Sequence, residues 1–161
     1  MRKPNQLFPV LRCFHGTAAN FTIFHPSERG SFGSGIYAAV DEAAAKEYAA
    51  GAFLLTLDMR LQNPYRYSAS FEHSVDLDSA AIGLVQTLFN EEQASALIQA
   101  AIATDGYFGE EIQRALKDRG YDGIIATYED GSQEALCFSP EQVTILDRQT
   151  ITHELSASFN P

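Results

Sequence analysis

The sequence predicts an α+β domain: a split, antiparallel sheet core with helices grouped on one side and a helical insertion. Three observations predict it. Short apolar runs bounded by Gly, Pro, Asn and Asp occupy both ends of the chain, where strands are expected. The middle third instead carries apolar residues at helical spacing. Segregated runs of strands and helices, rather than strict alternation, mark the α+β class. A chain of 161 residues with 45% hydrophobic content suits one domain with a real core.

The elements follow in order. "FPVLRCF", residues 8 to 14, reads as a strand, and residues 16 to 34 read as a loop punctuated by Asn20, Pro26, Ser27, Gly30 and Gly33. "GIYAAV" is a second short strand. Asp41 is a good N-cap for the alanine-rich helix "EAAAKEYAA", which Gly51 stops. "AFLLTLDM" has the composition of a buried strand, and "QNPY" reads as the turn that ends it. Residues 76 to 119 predict two or three helices forming an insertion. In the last of them Ile112, Ala115 and Leu116 share a face, and Gly120 follows as a C-terminal stop. "YDGIIATY", "QEALCF" and "VTILD" are strands, the first two joined by the tight turn "EDGS". The tail "RQTITHELSASFNP" is polar and expected to be loosely held. The expected organisation is one domain over residues 1–150 and a polar tail over 151–161.

Charge and motifs exclude several function classes. Twenty-one acidic residues against 11 basic ones give a net charge of −10, which disfavours non-specific binding to phosphate backbones. "MRKPNQLFPVL" has too short an apolar run for a signal peptide, and Pro9 interrupts it. No segment approaches the roughly 20 apolar residues of a membrane span. The expected location is the cytoplasm, or a target cell reached through a dedicated secretion or injection system. Cys13 and Cys137 are too few for a disulfide framework and read as buried thiols. "GSFGSG" fits neither G-x-G-x-x-G nor the P-loop, and no zinc-ligand spacing or G-x-S-x-G elbow occurs. No metal is expected.

Three stretches remain. "FHGT" puts His15, Gly16 and Thr17 at a strand end. "GSGIYAAVDEAAAKEYA" leads from Gly35 into a strand with Tyr37 and a helix with Tyr48. "GYDGIIATYEDGSQEALCFSPEQV" opens an apolar strand with Glu134. Each alone has a bland reading: a structural histidine, two core tyrosines, a solvated strand-end glutamate.

Together and in this order, the stretches resemble the ADP-ribosyltransferase superfamily, in particular its diphtheria-toxin-like branch with a His–Tyr–Glu triad. That branch includes small bacterial and phage domains and the poly(ADP-ribose) polymerase catalytic core. "LDMRLQNPY", "RGYDGIIA" and "EALCFSPEQVTIL" are similar to the bacterial and phage members. The resemblance covers roughly residues 10 to 147, with residues 68 to 108 outside it.

The resemblance implies a NAD-dependent mono-ADP-ribosyltransferase with NAD as co-substrate and no metal. His15, Tyr37 and Glu134 are the catalytic candidates. His15 would bond a ribose hydroxyl of the adenosine half. Gly16 would pair its backbone with the nicotinamide carboxamide, Thr17 would support the ribose, and Tyr37 and Tyr48 would stack on the nicotinamide ring. Gly35 leads into this strand and counts with the NAD-binding residues. Arg29, in the loop from Ala18 to Ser34, would meet a phosphate as that loop lids the site. Glu134 would bind the ribose 2′-hydroxyl, where a carboxylate stabilises the positive charge that develops as the glycosidic bond opens. Ser132 stands where arginine-modifying relatives carry a second glutamate, so arginine is not the expected acceptor. Gln133 contacts an acceptor or points to solvent. The implied partners are NAD and a macromolecular acceptor, protein or nucleic acid. If the chain is a toxin or effector, an antitoxin or immunity protein is implied too. The competing readings are a NAD glycohydrolase and a catalytically silent NAD-binding or interaction module.

Overall fold

The computed structural model describes residues 10–17, 23–48, 52–71, 77, 79–104 and 106–151, with side chains 47 and 48 excepted. The strands are β1 (Val10–Thr17), β2 (Ile36–Ala39), β3 (Phe53–Arg60), β4 (Pro64–Ser68), β5 (Gly123–Thr127), β6 (Gln133–Cys137) and β7 (Val143–Thr150). The helices are α1 (Glu42–Tyr48), α2 (Ile82–Leu88), α3 (Glu91–Ile102) and α4 (Glu111–Asp118). One seven-stranded sheet runs β4-β5-β6-β2-β1-β3-β7. Every neighbouring pair is antiparallel except β4 and β5. The expected split shows as a weak seam: β1 meets β2 only at Phe14↔Ala39, whereas β1 and β3 pair from Val10↔Arg60 to Thr17↔Phe53.

Alternation along β5 and β6 builds two cores on opposite faces. Ile124, Ala126 and Leu136 join Ile82, Leu84, Val85, Ile98, Ile112 and Leu116 of the helices in the first. Ile125, Ala135 and Cys137 join Cys13, Ile36, Leu55, Leu57 and Met59 in the second. Burying each such aliphatic side chain is worth about 1.5–3 kcal/mol, so the pairing of faces fixes the strand register. Cys13 and Cys137 are both free and buried in the second core. Burial pushes each thiol up to about 12, so both stay protonated.

Local chemistry accounts for the helix ends. The Asp41 carboxylate accepts from the Ala43 N–H at 3.2 Å, the N-cap expected of it. Asn90 and Gln93 close a reciprocal capping box on α3. Beyond α4, Gly120 takes φ +88° while its N–H donates to Lys117 and that of Tyr121 donates to Leu116. Gly51 lies outside the described residues.

Two expectations change. "QNPY" is not only a turn: Pro64 opens β4, an edge strand parallel to β5, a position where a missing N–H is tolerated. Asp122 brackets the entry by accepting from the Gln62 and Asn63 N–H groups at 2.7 and 3.0 Å. Parallel neighbours need a long crossover, and α2, α3 and α4 supply it. Residues 76–119, expected to hold two or three helices, thus carry the connection from β4 to β5. At the other end, the tail contributes Arg148, Gln149 and Thr150 to β7, paired with Leu55, Leu54 and Phe53. Residues 152–161 lie outside the described ones.

Candidate active site

The seam between β1 and β2 is where the candidate residues meet. Past Phe14 the two strands no longer pair, and the His15 side chain steps into the gap. Its Nδ1 lies 2.8 Å from the Tyr37 carbonyl, the place a ladder N–H would otherwise take. A carbonyl only accepts, so Nδ1 carries the proton and a neutral ring holds its lone pair on Nε2. Burial lowers the His15 pKa, opposed by that same hydrogen bond, which keeps the ring neutral at pH 7. Phe24 packs edge-on against the imidazole, with ring centroids 5.1 Å apart.

Glu134 enters from the far side. It stands opposite Ala39 on β2 and Ala126 on β5. Strand alternation therefore puts it on the same face as Tyr37 and Tyr128. The Tyr128 hydroxyl donates to Glu134 Oε1 at 3.1 Å. Burial raises the Glu134 pKa, and the Tyr128 bond partly opposes it. Tyr37 is held on the same face, and its phenol is pushed up by burial, with the Glu134 charge adding to the shift.

The loop before β2 forms the third wall. Ser27 and Gly35 exchange both backbone hydrogen bonds, at 2.8 and 3.0 Å, and so do Gly30 and Phe108, at 3.0 and 2.9 Å. The Tyr37 hydroxyl donates to the Gly33 carbonyl at 2.5 Å and accepts from the Phe32 N–H at 2.9 Å. A Cβ on Gly30 would come within 2.4 Å of that hydroxyl, so only glycine lets the loop lie on the ring. Arg29 Nη2 donates to Thr104 Oγ1 at 3.0 Å and to the Tyr107 carbonyl at 3.3 Å. The crossover thus braces the loop. We expect Arg29→Ala to speed hydrogen exchange of the loop amides about 3- to 10-fold, because one clasp of about 1 kcal/mol is lost. Exchange followed by mass spectrometry would check it; unchanged protection of the loop would refute it.

These walls enclose a cavity of about 360 Å³ lined by His15, Gly16, Arg29, Tyr37, Tyr107 and Glu134, with Phe14, Ala38, Ala39 and Ala45 among its apolar surfaces. A larger hollow of about 590 Å³ lies between the loop and helices α3 and α4 and shares Ser27, Arg29 and Tyr107 with the first. It holds none of His15, Tyr37 and Glu134, so size does not pick out the chemistry. A third, of about 250 Å³, lies beyond His15 and is lined in part by Phe24, His25 and Gly35.

Not every candidate reaches the central cavity. Gly35 lies outside it. Its φ is +145°, and a Cβ there would stand 2.6 Å from the Cys137 carbonyl, so its place is set by close packing on β6. Thr17 ends β1 opposite Phe53 and is not among the lining residues. The Tyr48 side chain and residues 18–22 of the loop lie outside the described residues. Gln133 Nε2 donates to Thr127 Oγ1 at 2.9 Å, tying it across the hairpin. Ser132 donates through its N–H and hydroxyl to Asp130 at 2.9 and 2.6 Å.

Two residues in contact with this constellation escaped sequence reading. Tyr107 comes from the crossover, where no local pattern gives its position relative to β1. Tyr128 was legible: with a turn over residues 128–132, Ala126 faces Glu134 and residue 128 falls on the same face. Among the described residues no group of three or more His, Cys, Asp or Glu is placed to hold a metal ion. Among them, too, no helix is long and apolar enough to cross a membrane.

A family model described as ADP-ribosyltransferase in polyvalent proteins matches residues 9–152. No curated protein matches the chain. A solved structure described as an anti-CRISPR protein is similar at 21% identity, covering 85% of this chain and 96% of that one, with a TM-score of 0.44.

Proposed function

We propose a function on the premise that this chain belongs to the ADP-ribosyltransferase family, as a domain of the kind found in polyvalent proteins. Domains of this family use NAD as co-substrate. The activity is mono-ADP-ribosyl transfer. The bond between nicotinamide and ribose breaks, the ribose carbon bonds to a nucleophile of a macromolecular acceptor, and nicotinamide and a proton leave.

One observation carries the reading. His15, Gly16, Tyr37 and Glu134, drawn from three strands, line a single cavity. Its volume suits the nicotinamide riboside half of the dinucleotide, with the remainder extending past His15. Neutral His15 accepts from a ribose hydroxyl through Nε2. Gly16 has no side chain to keep the carboxamide from its backbone. The Tyr37 ring, immobilised by its own hydroxyl, offers a flat face to the nicotinamide without freezing further torsions. Glu134, largely shielded from water, stabilises positive charge on the ribose as the bond opens. Arg29, at the wall shared with the larger hollow, meets a phosphate.

Incubation with NAD labelled in the adenosine half and a cell lysate tests the reading. Label on a macromolecule, lost with Glu134→Ala, is expected. Free ADP-ribose alone would make the chain a glycohydrolase, and no nicotinamide release at all would make it a silent binding module. The role that follows is that of a toxin or effector acting on a target-cell component. A producer making such a protein needs a partner that covers this cavity.

A further inference from the structure

Glu134 is a demanding residue for this site. It is mostly shielded from water, yet a carboxylate is the useful form, because only the anion stabilises a cationic ribose. Something must hold it ionised and aim it. We infer that Tyr128 is a positioning residue for the reaction, its hydroxyl fixing the Glu134 carboxylate by donating to Oε1 and so turning Oε2 to the substrate.

The geometry carries this. Tyr128 follows β5 directly, and its N–H donates to the Ser132 carbonyl at 2.8 Å, continuing the hairpin one pair past Thr127↔Gln133. Its side chain falls diagonally beside Glu134 on one face, the distance at which a long aromatic reaches its neighbour. The ring packs against the first core and lies 6.5 Å from Phe32, centroid to centroid. The hydroxyl therefore stands on a rigid arm, 3.1 Å from Oε1. An ionised carboxylate accepts this bond better than a neutral acid, so the contact favours the anion against the burial that opposes it. Among the described residues, the other titratable or charged groups around the cavity are His15 on β1, Tyr37 on β2, Arg29 on the loop and Tyr107 on the crossover. His15 is neutral, and Arg29 is held by Thr104 and Tyr107. Among the described residues, Tyr128 is the one whose hydrogen bond reaches Glu134.

The sign follows. Removing the hydroxyl leaves burial unopposed and raises the Glu134 pKa further. Activity that needs the anion is then lost at higher pH on the acid side. Tyr128→Phe, which keeps the ring, is expected to lower kcat about 10-fold at pH 7, leave the KM for NAD within about 2-fold, and move the acid limb of the kcat profile up by roughly one pH unit. In a Glu134→Gln background the same change should cost almost nothing, since the partner it acts on is gone.

This rests on the transferase reading, so a measurement free of activity separates the two. Carboxyl NMR titration of Glu134 in the unliganded protein should show a higher pKa in Tyr128→Phe than in wild type. If the wild type releases no nicotinamide but the titration shifts, the function fails and the coupling stands. If the wild type is active, and Tyr128→Phe leaves both titration and acid limb unmoved, the coupling fails alone. A purely structural tyrosine would lower the melting temperature without moving either.

Discussion

Glu134→Gln is expected to lower the rate of NAD cleavage by about 10²- to 10³-fold, with NAD affinity changed by no more than a few-fold. The amide keeps the size and an acceptor for Tyr128 but lacks the charge that the opening ribose requires. It should also make the protein more stable at neutral pH. The Glu134 pKa is raised in the folded state, chiefly by burial. Such a group contributes stability that is fully present below its unfolded pKa, near the ordinary glutamate value of 4.5, and is lost as pH rises through the folded pKa. Glutamine removes that loss. Melting curves should show the variant above wild type at pH 7, with the gap closing at pH 4. In a naive host, wild-type expression should slow growth and the variant should not. A variant that retains NAD cleavage would remove Glu134 from the chemistry. One that melts no higher than wild type at pH 7 would mean the carboxylate is well solvated.

Tyr37→Phe is the second large effect, and it separates two roles of one side chain. The ring remains as a wall of the cavity, so stacking on nicotinamide should survive. The hydroxyl, however, is the tie between β2 and the loop. Without it, the Gly33 carbonyl and the Phe32 N–H lose their partner, and each partly buried group left unsatisfied costs about 1–3 kcal/mol. A loss of about 2–3 kcal/mol in stability is expected, or about 5–10 °C in melting temperature. The KM for NAD should rise about 10-fold, because the loop must be reordered on binding. Calorimetry and steady-state kinetics together check it. A Tyr37→Phe protein with wild-type melting temperature and KM would show that the loop is held by its other bonds, among them those of Ser27–Gly35, Gly30–Phe108 and Arg29–Thr104.

Much of this was readable in the chain, and the reason differs from element to element. Strands β1, β2, β3, β5 and β6 lie where short apolar runs end in turn residues, because a strand buried on one or both faces must be written in consecutive residues. Helix α4 shows its own ends, since Ile112, Leu116 and Gly120 are within reach of one another along the chain. β4 did not show. "NPYRYS" carries the signs of a turn, and only a partner strand far along the sequence makes it an edge. The last residues of β7 were hidden for the same reason: polar Arg148, Gln149 and Thr150 are paired by β3 rather than by any pattern of their own.

The site divides along the same line. Sequence by itself pointed to the family and to the candidate side chains, an imidazole, a glycine, a phenol and a carboxylate in one order along the chain, because both are carried by short local motifs. It could not determine which of them share a hollow. The tertiary structure decided that by leaving β1 and β2 joined at one pair, so that a cavity opens where a ladder would have closed. It also left Thr17 and Gly35 outside the central cavity, brought Tyr107 to its wall, and placed Tyr128 on Glu134. Local sequence encodes what a segment can form, but which side chains converge depends on pairings between segments distant in the chain. Those are fixed only when both cores are buried at once.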